Sequence, residues 1–191
     1  MHTSLCVVRH PAAFVSSIMR LSWRLDVRWL LDQPSLMQSD LAPFRDELAS
    51  DRDGATDLLE HAALIWRELN TVVLRYEKQY PAWSVLRYED LAAAPASGIR
   101  ELCRHVGIPW TSRLQDRVEK RNAPHHGVAV PERSRGGTRR DSRRAMWTWV
   151  DRLTPEEIDR VRASTESLAR HWYVDDDWTP GRGDTDRGPA P

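Results

Sequence analysis

Apolar positions recur along this chain in two periods, and the changes of period mark its elements. Residues 3–10 read as a short buried strand, rich in Val, with Leu5, Cys6, Val7 and Val8 at its centre. Pro11 then suits the first position of a helix, where a missing N–H costs nothing. Phe14, Ile18, Leu21 and Leu25 form one apolar stripe at helical spacing. Residues 26–54 lose this pattern to Pro34, Pro43 and several acids, which predicts a loop or an insert of short helices. The clearest helix spans residues 55–80. There Leu58, Leu59, Ala62, Trp66, Leu69, Val73, Tyr76 and Tyr80 step by three and four, and Pro81 closes the run. Residues 83–88 make a second short strand, followed by an acidic turn at Glu89 and Asp90.

Pro95 opens another helix, with Ile99, Leu102, Cys103 and Val106 on one face. Gly107 ends it, with Ile108 as the apolar cap partner. Residues 121–145 are rich in Arg, Gly, Pro and Ser and read as a mobile loop. Thr154-Pro155-Glu156-Glu157 is a strong helix start: an N-cap, a Pro at the first position and a capping-box Glu. Ile158, Val161, Thr165, Leu168 and Trp172 continue that helix. From Asp175 the chain turns acidic and then Gly- and Pro-rich, so residues 175–191 are expected to be a disordered tail. No internal repeat is present. Strands alternating with long helices argue for an α/β fold with a parallel sheet flanked by helices.

Composition narrows the picture further. The 191 residues suit one domain. The 28 basic and 28 acidic residues balance, so no global attraction to nucleic acid arises and only local clusters can speak. Cys6 lies in an apolar strand and Cys103 on an apolar helix face, which favours buried reduced thiols over a disulfide. No CxxC or HxxxH spacing suggests a metal site. No apolar run has the length of a membrane span, and the segment before Arg9 is too short for a signal-peptide core. The expectation is a soluble, cytoplasmic protein with neither nucleic acid nor membrane as partner. Nine Trp are present, and their periodic placement makes packing the default account of them.

Three clusters carry candidate chemistry. Arg9 sits at a strand end and Ser17 eight positions later on the following helix. A strand-to-helix junction offers N–H groups and a positive dipole end to a phosphate, and an arginine can bind two phosphate oxygens at once. From Pro11 to Ser17 a helix rises about 9 Å, so an anion held by both side chains would lie along the helix flank. On spacing alone the pair reads equally as a surface Arg and a solvent-facing Ser. The second cluster is Leu86-Arg87-Tyr88-Glu89-Asp90-Leu91, with Pro95 four residues on. It closes the second strand, where open α/β sheets bind ligands, though ordinary capping acids would look the same. The third is the run containing Arg133, Arg135, Arg139, Arg140, Arg143 and Arg144, in which Gly136 and Gly137 would let the backbone approach a polyanion. A solvated loop fits that run as well. An RNA-binding segment fits it less, since no aromatic interleaves before Trp147. Adjacent His125 and His126 point apart and lack a carboxylate framework, which speaks against a metal.

Taken in order, these clusters resemble the sulfotransferase family that uses 3′-phosphoadenosine 5′-phosphosulfate. The stretch Val7-Val8-Arg9-His10-Pro11 through Ser17 looks like that family's 3′-phosphate-binding motif. The stretch Leu86 through Leu91, then Pro95, is similar to its strand-end signature, and Trp66 fits the preceding helix. Trp147 through Leu153-Thr154-Pro155-Glu156-Glu157-Ile158 resembles its C-terminal Trp and helix. The likeness implies a P-loop-NTPase-like sulfotransferase fold and cofactor-binding roles for Arg9 and Ser17. It makes Arg135 and Gly136 candidates to close over the donor. The reaction it implies moves a sulfuryl group from 3′-phosphoadenosine 5′-phosphosulfate to a hydroxyl or amine acceptor, without a metal.

The same likeness places the family's first strand and its 5′-phosphosulfate loop, with a Lys and a Ser or Thr, ahead of Arg9. No GxxxxGK[ST] pattern occurs elsewhere. The expectation is therefore an N-terminally truncated member, with a partial domain over residues 1–174. Two readings stay open on this basis: a sulfotransferase, or a non-catalytic module that retains a nucleotide or polyanion pocket. The acceptor and the catalytic base are not legible.

Overall fold

Strand β1 (Ser4–Val8) lies parallel to strand β2 (Trp83–Arg87), with Ser4 opposite Trp83 and Val8 opposite Arg87. The computed structural model describes residues 4–122 and 146–179. Within them the protein is mixed α/β, mostly helical, around this two-stranded parallel sheet. Parallel strands cannot be joined by a hairpin, and here the crossover runs through five helices.

Helix α1 (Pro11–Leu21) follows β1 after two residues, with Pro11 at its first position. It stops at Ser22, whose left-handed backbone (φ 47°) lets its N–H bond the Met19 carbonyl. Its buried face is Ala12, Ala13, Val15, Ser16 and Ile18, not the stripe expected from Phe14, Ile18, Leu21 and Leu25. Small Ala and Ser side chains let α1 pack closely on its neighbours, which leaves Leu21 61% exposed and Leu25 half-buried.

The segment after α1 is an insert of short helices: α2 (Arg28–Leu31), α3 (Pro34–Gln38), a 3-10 turn (Ala42–Phe44) and α4 (Arg45–Asp51). Val27, Met37, Leu41, Phe44 and Leu48 bury against Leu64 and Ile65 as one apolar core. A polar clamp holds this insert to the long helix. Asp51 Oδ2 lies 2.5 Å from His61 Nδ1, while His61 Nε2 accepts the Leu25 N–H at 3.1 Å. Asp51 Oδ1 also takes Arg24 Nη1 at 2.8 Å. Both His61 nitrogens are therefore engaged in holding structure.

Helix α5 (Leu58–Gln79) begins where the Asp57 carboxylate accepts the Glu60 N–H at 2.8 Å. It packs against α1, β2 and α9 (Pro155–Ala169). Leu59, Ala62, Ala63 and Trp66 join Val8, Val15, Trp149, Val161 and Tyr173 in the second, larger core. Leu69 and Tyr80, placed on its apolar stripe by periodicity, are 54% and 43% exposed. Val72, Val73 and Tyr76 beside them stay half-buried, so the contact on this half of the helix falls on other positions of the stripe.

The acidic turn expected at Glu89 and Asp90 is instead the first turn of helix α6 (Tyr88–Ala93), which starts directly at the end of β2. Helix α7 (Pro95–Val106) ends at Gly107 (φ 74°), and Ile108 donates its N–H to the Cys103 carbonyl at 2.8 Å. The Ile108 side chain stays 53% exposed, so the apolar half of that cap does not close. Helix α8 (Ser112–Asn122) was not legible in the sequence, because its face carries few apolar residues. Both cysteines are free thiols. In α9 the capping box forms in both directions: Thr154 Oγ1 accepts the Glu157 N–H at 3.2 Å, and Glu157 accepts the Thr154 N–H at 2.8 Å.

The start of the tail expected from Asp175 is ordered instead. Asp175–Trp178 form a 3-10 turn, and Trp178 is buried in the larger core. Residues 180–191 lie outside the described residues. Among those described, no helix is long and apolar enough to cross a membrane.

Candidate functional site at the strand ends

An arginine stands at the carboxyl end of each strand, Arg87 as the last residue of β2 and Arg9 just after β1, and the two are held differently. On β2, Arg87 Nη2 pairs with Asp177 Oδ1 at 2.5 Å and its guanidinium lies 4.7 Å from the Tyr173 ring centroid. Its charge is matched. Just after β1, Arg9 turns its guanidinium along the flank of α1. Its Nη1 donates to Ser17 Oγ at 3.3 Å, and its Cζ lies 5.1 Å from the centroid of the Tyr88 ring. Arg9 Nε is buried without a hydrogen-bond partner. Among the described residues no carboxylate pairs with Arg9. A half-buried guanidinium with no counter-charge attracts an anion more strongly than one in bulk water.

The backbone at Arg9 is fixed from behind. The Trp66 indole N–H donates to the Arg9 carbonyl at 2.8 Å, and Trp66 itself is 1% exposed. Ser17 Oγ donates to the Ala13 carbonyl at 2.9 Å, so its lone pairs face Arg9. Arg9 and Ser17 thus meet side chain to side chain, one from a strand end and the other from a helix flank.

A carboxyl already stands at the mouth of α1. Glu89, buried at the start of α6, accepts the His10 N–H on Oε1 at 3.0 Å and the Tyr173 O–H on Oε2 at 3.0 Å. Burial pushes the Glu89 carboxyl above the usual range, against the lowering effect of these hydrogen bonds and of Arg87. No acid stands in the first turn of α1 itself, so Glu89 supplies the negative partner from 79 residues away.

Behind the mouth sits His10, 2% exposed. Its ring stacks on Trp149 (5.1 Å between centroids, 13° between planes), with Tyr173 and Trp178 edge-on at 5.0 and 4.4 Å. Neither ring nitrogen has a hydrogen-bond partner. Sequence reading singled out neither His10 nor Tyr173 and Trp178. The last two come from the chain's far end, and no local pattern links them to residue 10.

Arg135, Gly136 and the rest of the arginine run lie outside the described residues, as do His125 and His126. Among the described residues, no group of three or more His, Cys, Asp and Glu could hold a metal. No protein-family model, no curated protein and no solved structure matches this chain.

The chemistry open to the flank is recognition of a tetrahedral oxyanion. One anionic oxygen accepts from Arg9 Nη1 and another from the Ser17 hydroxyl once it rotates away from Ala13. The Tyr88 ring offers a flat apolar face beside them.

Proposed function

We propose that this chain binds the 3′-phosphate of an adenosine nucleotide between Arg9 and Ser17. On this reading it is a sulfotransferase-family protein with a P-loop-like fold, moving a sulfuryl group from 3′-phosphoadenosine 5′-phosphosulfate to a hydroxyl or amine acceptor. The observation that carries the reading is the uncompensated Arg9 guanidinium, 3.3 Å from Ser17 Oγ. Both side chains donate, both belong to the same strand-helix unit, and Glu89 already takes the His10 N–H at the helix mouth. Arg9 and Ser17 supply donors for a phosphate, and Tyr88 supports the Arg9 guanidinium from its ring face.

A non-catalytic nucleotide-binding module rests on the same pair and differs only in the absence of transfer. Calorimetric titration with adenosine 3′,5′-bisphosphate, paired with a transfer assay using labelled donor and a panel of alcohols and amines, tests both. Binding with transfer is the expected result for the enzyme, and binding without transfer for the module. Arg9→Ala should weaken binding by about 1.5–3 kcal/mol, or roughly 10- to 150-fold, the value of a charge-assisted hydrogen bond. Unchanged affinity in that variant would count against both readings.

A further inference from the structure

A second cavity lies away from the strand-end site, and nothing in the reading above uses it. It opens between α3, the long helix α5 and the amino-terminal end of β2, with a volume of about 440 Å³. Cys6, three residues before Arg9, marks its edge on β1. Its walls are largely apolar, and three aromatic side chains, Trp29, Tyr76 and Trp83, line it. The Tyr76 and Trp83 rings meet edge to face at 5.1 Å. Two carboxyls are the only ionisable groups it shares with these rings apart from the Cys6 thiol and the Tyr76 phenol. Asp40 is already paired with Arg75 from outside. Glu68 is not so served: it is 3% exposed, and its Oε1 is buried without any hydrogen-bond partner.

We propose that this cavity binds a small organic ammonium ion, an amine carrying an apolar group, with Glu68 as its counter-charge. A buried acceptor with no donor costs free energy that a ligand N–H can recover. A positive ligand suits the site better than a neutral one, because no Lys, Arg or His lines it among the described residues. Aromatic faces attract cations through the ring quadrupole, and the apolar walls accept the ligand's hydrocarbon part. Burial pushes the Glu68 carboxyl up to about 8; Arg67 beside it lowers this, and Glu47 and Asp51 raise it. Before a ligand binds, the carboxyl is therefore largely protonated at neutral pH, and an ammonium ion in contact with it favours the carboxylate form. This site does not depend on the nucleotide reading.

The test compares 2-phenylethylamine with 2-phenylethanol, its near-isosteric alcohol, by calorimetry and tryptophan fluorescence on the full chain. The wild-type protein should bind the amine at least about tenfold more tightly than the alcohol. Glu68→Gln keeps the side-chain shape and should bring the two affinities to within about threefold. Trp29→Ala, at a position 64% exposed and so safe for the fold, should weaken amine binding by about threefold or more. Absence of amine binding in the wild type, equal affinities for amine and alcohol, or amine binding unchanged in a folded Glu68→Gln or Trp29→Ala variant would each overturn the proposal.

Discussion

His10 holds a neutral imidazole in a place where a charged one would be costly. Burial among Trp149, Tyr173 and Trp178 lowers its pKa from 6.5 to about 3; Asp177 works weakly against this and Arg87 with it. The sign follows from linkage. A base whose folded pKa is depressed adds stability above its unfolded pKa, and that stability is lost as pH falls through the folded value. The loss runs from about pH 6.5 down to about 3 and amounts to a few kcal/mol, at roughly 1.36 kcal/mol per unit. His10→Phe keeps a flat ring in the stack and removes the proton site and both orphan nitrogens. Its melting temperature should match or exceed the wild type at pH 7 and fall less steeply between pH 6.5 and 3. An equally steep fall would show that His10 is not the acid-sensitive group. The contact between Arg9 and Ser17 is local, since both stand on one strand–helix unit eight positions apart. His10 was not legible in the sequence, because the rings that cage it come from residues 149, 173 and 178.

At the scale of elements, the decisive joint is Glu89. One carboxyl ties the β1–α1 junction to α6 and to the chain after α9. Glu89→Ala would leave the His10 N–H and the Tyr173 O–H buried and unpaired, at a cost of about 1–3 kcal/mol each. Thermal denaturation should show that loss. Glu89→Gln should recover most of it, since its carbonyl accepts from His10 and its amide donates to the Tyr173 oxygen. If Glu89→Ala melts like the wild type, the joint carries no strain-bearing role. The capping box of α9 was readable because its partners stand three residues apart, and Pro95 and Gly107 marked the ends of α7 in the same local way, whereas α5 starts at Leu58 rather than at residue 55. The faces of α1 and of the end of α5 were not readable. Helical spacing identifies an apolar stripe but not which neighbour arrives to cover it, so Leu21 and Leu69 went to solvent while Ala12 and Ala13 took the contact.

At the scale of the whole molecule, α5 separates two cores: the short-helix insert packs on one side, and α1, the sheet and α9 pack on the other. The strand-end pair adjoins the larger core, while the Glu68 cavity borders the smaller core and the sheet, so the two proposed sites are built from different parts of the fold. The parallel α/β character followed from alternating periods, and the two-stranded parallel sheet bears that out. Trp178 shows where composition misleads: a run of three aspartates looked like the start of a tail, yet the Trp after them plugs the core beside His10. The account stands most directly on one comparison, a calorimetric titration of the wild-type protein with adenosine 3′,5′-bisphosphate and with adenosine 5′-monophosphate. It predicts at least about tenfold tighter binding of the bisphosphate, the value of one added charge-assisted contact. Equal affinities for the two nucleotides would contradict it.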